Sequence, residues 1–361
     1  MVLAGGLGGA GGVAAATQPP FREFRRGGML YRRLGQTDLF VSTLSFGSHT
    51  NPAYRVAAER GTALNEDGQA LRDRHIAKAF DRGVNMVDVY ENAGQWQPMA
   101  QTVRGRRDKV LVSICRQFSQ FAGRHIDAAA GLFGHVDLYR IALNPGPDID
   151  EKTFEDWDAI RRAKRMGKVR AIGVSLHDER KMVSCLKELE GLDFIMFPYN
   201  FIHARADYSE FLPKAIEQGV GLIAIKPLAA GSIAKLDPMA RPGSTPEDPR
   251  VRLYKRGNRP VHPAVVEKLT RSLNRIPGES LCQAALRFVY SKPFITSAMP
   301  GMFQEQELDD NYDAISRHLE LSHRLSHTEL NVLAAAQDLS RARGPGWLPS
   351  HYRWLDRCWR T

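Results

Sequence analysis

Short runs of apolar residues alternate with longer segments of helical period through most of this chain. Several of the runs are apolar at consecutive positions, which is typical of strands buried on both faces of a parallel sheet. Counted along the chain, the runs predict eight strands, at 41–47, 85–89, 110–114, 136–142, 169–174, 194–197, 221–225 and 295–298. This rhythm is the main structural signal in the sequence.

Segments with helical period lie between the predicted strands, at 151–166, 179–190, 211–218, 278–290 and 305–317, with another near 74–82. Strands that alternate with helices pair in parallel through right-handed crossovers. Eight such units favour a closed barrel over an open doubly wound sheet, which usually has a Gly-rich turn after its first strand. Gly47-Ser48-His49 has no such form. The sequence therefore predicts an α/β protein with a single (β/α)8 TIM barrel.

The segments outside this rhythm define the expected domain limits. Residues 1–28 are a Gly- and Ala-rich tail, 29–340 the barrel and 341–361 a C-terminal tail. Within the barrel, 31–38 predict an N-terminal hairpin or strand, and 50–73 a loop. Residues 229–276 form a long loop, rich in Pro and Gly, after the seventh strand. Long loops in compact domains are often functional, so we expect this one to define the ligand.

Composition narrows the classes of partner. The chain has 361 residues and a formal net charge of +10. Its Lys and Arg residues are scattered and do not alternate with aromatic residues, so no nucleic-acid partner is expected. No apolar stretch is long enough to predict a membrane span. The four cysteines form no CxxC motif, and no metal site is expected.

The first sixteen residues leave two interpretations open. They are rich in Gly, Ala, Val and Leu and end in three alanines, like the apolar part and cleavage site of an export signal. The basic segment that precedes such a signal is absent, so either the true start lies upstream or these residues are a flexible tail. We expect an exported, periplasmic location in preference to a cytoplasmic one.

Several motifs occur in a fixed order along residues 29–335. The most specific is GKVRAIGVS at 167–175, and VDLYRI at 136–141, FPYN at 197–200 and IAIKPL at 223–228 accompany it. Each motif alone is weak, but the ordered set resembles the aldo-keto reductase superfamily. The sequences at 175–177 and 226–228 are similar to a bacterial branch, some members of which are exported. The resemblance implies a (β/α)8 barrel and reduction of carbonyl groups with NADPH.

The catalytic tetrad of that family consists of an Asp, a Tyr acid, a Lys that lowers the pKa of the Tyr, and a His. The resemblance assigns the Asp to Asp88 and the Tyr to Tyr90, but about three residues are missing between the two. Counting back from Tyr90 assigns the Asp to Asn85 instead, and this alternative stays open. Cys115 stands where the family has Lys, and Ala142 where it has His. The tetrad is therefore degenerate.

Several residues with which the family contacts the cofactor are also replaced. The family holds the nicotinamide amide through a Ser-Asn pair and a Gln, and here Leu176 replaces the Asn and Met196 the Gln. Met302 and Phe303 follow the Pro-Gly after the eighth strand, where the family has a basic residue for the adenosine phosphate. We expect NADP(H) binding that is weakened or lost. The expected cofactor contacts that remain are Ser175, Tyr199, Lys226, Leu228, Gly231, Gly301 and Asn311.

Two functions follow from this pattern. The first is a degenerate barrel, a pseudoenzyme candidate, that binds a small molecule or a partner at its mouth and cannot carry out standard NADPH-dependent carbonyl reduction. The second is an active NAD(P)H-dependent oxidoreductase with an altered site that uses Tyr90 as its acid. The first is favoured because the losses fall at several functional positions while the motifs of the scaffold survive.

Overall fold

The structure is a computed structural model that describes residues 22–48, 51–58, 61–90, 96–116, 121–200, 206, 209–228 and 278–320. The described strands, in chain order, are β1 (Glu23–Arg26), β2 (Met29–Arg33), β3 (Phe40–Ser42), β4 (Phe46–Gly47), β5 (Arg55–Ala58), β6 (Gly61–Leu64), β7 (Met86–Tyr90), β8 (Leu111–Arg116), β9 (Val136–Ala142), β10 (Val169–Ser175), β11 (Phe194–Pro198), β12 (Gly221–Ile225) and β13 (Ile295–Met299).

Helices follow most of these strands. They are α1 (Glu66–Asp81), α2 (Trp96–Val103), α3 (Ala122–Phe133), α4 (Glu151–Arg165), α5 (Glu179–Glu188), α6 (Phe211–Glu217), α7 (Leu281–Tyr290) and α8 (Glu305–Glu320). Short 3-10 helices lie at Pro52–Tyr54 and Arg104–Lys109. In the part of the chain that the structure describes, no helix is both long and apolar enough to cross a membrane.

Eight parallel strands form the predicted barrel. Their order is β4, β7, β8, β9, β10, β11, β12 and β13, so each strand pairs with the next one along the chain. The ring closes between the last strand and the residues before β4, where the backbone N–H of Ala298 donates to the oxygen of Thr43 at 2.8 Å. An isolated parallel bridge joins Leu44 to Ala298 at the same place. The expected (β/α)8 fold is confirmed.

Two hydrophobic clusters hold the barrel together. One fills its interior with residues such as Met86, Leu138 and Phe194, and it includes Leu34 and Val41 from the N-terminal hairpin. That hairpin therefore closes the amino-terminal end of the barrel. The other cluster lies between the strands and the surrounding helices. Side chains that alternate between the two clusters explain the consecutive apolar positions in the sequence.

Three predictions for the N-terminal region need correction. Residues 23–26 were included in the expected tail 1–28 but pair antiparallel with β2. The expected first strand, 41–47, is divided. Strand β3 pairs antiparallel with β2 to form the N-terminal hairpin, and only β4 joins the barrel, where it pairs with β7. The expected loop at 50–73 contains the β5–β6 hairpin and the first half of α1. Residues 1–21, the long loop at 229–276 and the tail at 341–361 lie outside the described residues.

Helix α1 was predicted to begin near residue 74 because its first half does not look apolar. It begins at Glu66, after the side chain of Asn65 accepts a hydrogen bond from the backbone N–H of Gly68 at 2.9 Å. Such an Asn cap and the acidic residues of the first turn both favour a helix start. The buried face of this half carries Gly68 and Arg72, so no apolar period is visible in the sequence.

Candidate active site at the barrel mouth

The candidate catalytic residues lie on neighbouring strands near the carboxyl end of the barrel. Tyr90 on β7 is in register with Cys115 on β8, which is in register with Arg140 on β9. One level deeper, Asp88 is in register with Ser113. Positions two residues apart on a strand face the same side, so all five side chains belong to the barrel interior. TIM barrels place their chemistry at this end.

Arg140 forms the centre of this group. Its guanidinium nitrogens contact Asp88 at two points, Nη1 to Oδ1 at 2.5 Å and Nη2 to Oδ2 at 2.9 Å. Nη1 also lies 2.8 Å from Oγ of Ser113, which itself donates to Asp88 at 2.8 Å. The side chains of Arg140 and Asp88 are fully buried. A bidentate Arg–carboxylate pair is among the strongest charge-assisted interactions, and it can offset the cost of burying both charges.

Tyr90 packs against the same guanidinium. The central carbon of the Arg140 guanidinium lies 5.2 Å from the centre of the Tyr90 ring, within cation–π range. Burial raises the pKa of Tyr90 above its ordinary value, and the nearby Arg140 only partly opposes this. The phenol therefore keeps its proton at neutral pH. The contact with a cation resembles the family's arrangement, but the cation comes from β9 instead of β8.

The open choice between Asp88 and Asn85 has a structural answer. Asn85 lies before β7 at the other end of the barrel, where its Nδ2 donates to the oxygen of Phe40 at 2.9 Å. Its Oδ1 accepts from the backbone N–H of Ser42 at 2.8 Å. Asn85 therefore anchors the N-terminal hairpin, and Asp88 is the carboxylate next to Tyr90. The shorter spacing places Asp88 and Tyr90 on one face of the same strand.

The two replaced tetrad positions add no charge to the mouth. Cys115 is fully buried, and Ala142 is partly exposed at the end of β9. Arg116, the next residue after Cys115, points away from the interior, as alternation along a strand requires. It pairs with Asp156 of α4 beneath the helices, and that carboxylate also accepts from the backbone N–H of Ala122 at 2.9 Å.

Lys226 is the other cation at the mouth, directly after β12. Its Nζ lies 2.8 Å from Nε2 of His177, and its backbone oxygen accepts from Nδ2 of Asn200 at 3.0 Å. Burial lowers the pKa of Lys226 to about 8. The backbone has a φ of 53°, a left-handed conformation that a non-glycine residue rarely adopts. Strained backbone of this kind is common at functional sites.

Only some of the other residues expected to contact the cofactor lie at the mouth. Ser175 ends β10 and is in register with Ala142. Tyr199 follows β11, is fully buried and stacks on Phe288 of α7, with ring centres 5.6 Å apart. Its role as a cofactor contact stays a prediction, because the motif identifies the residue without fixing the direction of its side chain. The remaining residues are placed as follows: Leu228 packs on the outer hydrophobic cluster, Gly301 is exposed, Asn311 is buried in α8, and Gly231 lies outside the described residues.

These placements test whether the site fits a nicotinamide cofactor. Leu176 belongs to the outer hydrophobic cluster and Met196 to the barrel interior, so neither can hydrogen-bond the amide. Ser175 is the one amide contact of the family that is retained. Lys226 is retained from the family motif and contacts His177. The described residues therefore do not reproduce the contacts with which the family holds the nicotinamide ring.

No group of three metal-ligating side chains occurs among the residues that the structure describes. Of three histidines near the mouth in sequence, His177 contacts Lys226, whereas His49 and His203 fall outside those residues.

The fold is that of an aldo-keto reductase barrel. The model of the Aldo/keto reductase family matches residues 131–324, more than half of the chain, and the chain belongs to that family. It is similar to L-glyceraldehyde 3-phosphate reductase of Escherichia coli strain K12, with 25% identity over 87% of this chain and 97% of the relative. A probable voltage-gated potassium channel subunit beta of Oryza sativa is 26% identical over 80% of this chain and 91% of the relative.

Solved structures agree on the fold. The holo form of an aldo-keto reductase from Bacillus halodurans superposes with a TM-score of 0.64, covering 85% of this chain and 95% of that one, at 20% identity.

Sequence reasoning missed Arg140 and Ser113. The signal that identifies them is strand alternation: Arg140 lies two residues before Ala142, the position of the family's catalytic His, and therefore faces the same interior. Ser113 lies two residues before Cys115 in the same way. A charged residue on the interior face of a barrel strand indicates a partner of opposite charge at the same depth.

Proposed function

We propose that the mouth of this barrel binds a small anionic molecule and does not carry out the family's standard NADPH-dependent carbonyl reduction. One observation carries this proposal: Asp88 is fully buried and held at both oxygens by Arg140, while Cys115 leaves no ammonium at the family's Lys position. The relay that activates the acid in the family is thereby replaced by a closed structural pair.

The raised pKa of Tyr90 supports the absence of standard carbonyl reduction. A general acid works best when its pKa is close to the ambient pH, and its contribution is typically about 100- to 10,000-fold in rate. Burial raises the pKa of Tyr90 and so moves it further from neutral pH. Together with the missing amide contacts, this argues against efficient reduction.

The anionic character of the ligand is inferred from Lys226. With its pKa lowered to about 8, the ammonium is still largely protonated at neutral pH. A partly desolvated ammonium attracts a carboxylate or a phosphate strongly. The Escherichia coli relative, by its name, acts on a small phosphorylated aldehyde, and a ligand of that chemical class suits the mouth.

Calorimetric titration with glyceraldehyde 3-phosphate tests this proposal. The wild type should bind it saturably, and Lys226→Met should weaken binding at least tenfold because a charged contact contributes about 1.5–3 kcal/mol. Lys214→Met is the matched control, since that Lys is exposed on α6 and pairs with Glu210. No consumption of NADPH should accompany binding. Equal binding by both variants, or turnover at about 1 s⁻¹ or faster, contradicts the proposal.

A second function is favoured by the contact between Arg140 and Tyr90. In this alternative the chain is an oxidoreductase, Arg140 replaces the family's Lys, and Tyr90 supplies the proton to a reduced carbonyl oxygen. A raised pKa keeps the phenol protonated, so such an enzyme would reduce carbonyl compounds but scarcely oxidise alcohols. The distinguishing result is NADPH-dependent turnover by the wild type that Tyr90→Phe abolishes.

A further inference from the structure

The buried face of helix α1 carries two polar side chains that the barrel mouth does not use. Arg72 and His75 are 7% and 5% exposed, respectively. They lie three positions apart, so they project from the same side of the helix. Buried Arg and His side chains at such a spacing call for partners of matching chemistry.

Only some of the hydrogen-bond donors of the Arg72 guanidinium have partners. One terminal nitrogen donates to the backbone oxygen of Ser48 at 2.9 Å, but the buried Nε has no hydrogen-bond partner. No carboxylate among the described residues forms an ion pair with it. Burial lowers its pKa to about 10, so the side chain stays cationic at neutral pH. A buried charge without an opposite charge is costly, which indicates that a ligand supplies it.

His75 carries a second buried polar atom without a hydrogen-bond partner, its Nε2. Burial lowers the pKa of the ring, and this outweighs the opposing effect of Glu305 on α8. The imidazole is therefore neutral at neutral pH, and its Nε2 can donate or accept one hydrogen bond according to its tautomer.

Both side chains line a pocket between α1, the last residue of β6 and the residues that follow β13. The pocket is small and partly open to solvent, and its apolar walls come from Phe46, Leu64, Leu71, Met302 and Phe303. Ligand sites combine mostly apolar walls with a few polar groups in this way.

The pocket is separate from the barrel mouth. Gly47 is in register with Asp88 and faces the interior, whereas Phe46 is in register with Val87 and belongs to the outer cluster. Strand β4 therefore stands between the pocket and the site that contains Asp88.

We propose that Arg72 and His75 form a binding site for the carboxylate or phosphate group of a small molecule whose apolar part lies against Phe46, Met302 and Phe303. A guanidinium and an imidazole can hydrogen-bond two oxygens of such a group. The ligand neutralises the buried charge of Arg72 and occupies the open Nε2 of His75.

Titration calorimetry on the full chain tests the site, with inorganic phosphate and benzoate as probes. All proteins carry Lys226→Met, so that anion binding at the mouth does not interfere. Arg72→Met should lower the affinity for the better probe at least tenfold. Arg74→Met, an exposed position on the same helix, should leave it unchanged. Tighter binding of benzoate identifies a carboxylate next to an apolar group, and tighter binding of phosphate identifies a phosphoryl ligand.

Two results overturn the proposal. One is the absence of saturable binding of either probe up to about 50 mM, a concentration that reveals even weak sites. The other is an equal loss of affinity in the Arg72 and Arg74 variants, which would reflect net charge alone. If Arg72→Met fails to fold, Leu71→Trp replaces it, because a larger side chain on the pocket wall should block binding while both polar groups remain. Unchanged binding in that variant also contradicts the site.

Discussion

The ion pair between Arg140 and Asp88 makes a quantitative prediction about stability. Replacing Arg140 by Met removes two contacts with Asp88 and one with Ser113. It leaves the Asp88 carboxylate fully buried without its cation. Breaking a buried pair from one side typically costs about 3–5 kcal/mol, a large part of the roughly 5–15 kcal/mol that stabilises an ordinary domain. Asp88→Asn should cost a similar amount, because it leaves the guanidinium unpaired.

The double variant should cost much less than the sum of the single variants. With both charges gone, the remaining loss is that of neutral hydrogen bonds, about 0.5–1.5 kcal/mol each. Urea denaturation followed by tryptophan fluorescence measures the three free energies of unfolding, and Arg124→Met, at an exposed position of α3, serves as the control. Additive losses, or a cost below about 1 kcal/mol for Arg140→Met, refute the reasoning. If Arg140→Met does not fold alone, restoration of folding by Asp88→Asn gives the same answer.

Three further outcomes are expected. Anion binding at the mouth should weaken as the pH rises through about 8, because Lys226 then loses its proton; Lys226→Met should bind weakly with no such step in calorimetry from roughly pH 6 to 10. Arg116→Met should cost about 3–5 kcal/mol in urea denaturation by leaving buried Asp156 unpaired, without changing ligand affinity, since the pair lies under the helices. Gly173→Ala should lower the stability by about 1–3 kcal/mol, because its Cβ would lie 2.4 Å from the backbone oxygen of Phe194.

The barrel was visible in the sequence because its strands are buried on both sides. The consecutive apolar positions of β9, β10 and β12 mark strands whose alternate residues face the interior and the helices. The predicted range 136–142 matches β9 at both ends. The first half of helix α1 and the β5–β6 hairpin were missed for other reasons. The buried positions in that half of α1 are Gly68 and Arg72, which give no apolar period. Strands β5 and β6 have four residues each, too few to show a strand pattern.

The candidate site was predictable only where a motif fixes both residue and orientation. Asp88 and Tyr90 follow from the motif and lie side by side on β7. Tyr199 matches a motif equally well, yet its ring stacks on Phe288 of α7. Arg140 lies within the motif VDLYRI, but the resemblance assigns that position no role in the site. Its role becomes evident only when the register of β7, β8 and β9 is known.

The resemblance places the family's Lys at position 115, where this chain has Cys, and a neutral side chain there is compatible with the charge of Arg140. The two positions are in register on adjacent strands, and neighbouring strands are about 4.8 Å apart. Two cations at that distance inside the barrel would repel each other, and Asp88 can neutralise only one of them. The interior therefore accepts a cation on β8 or on β9, but not on both. A return to the family's arrangement requires a Lys at 115 together with removal of the charge at 140, since either substitution alone leaves an unbalanced buried charge.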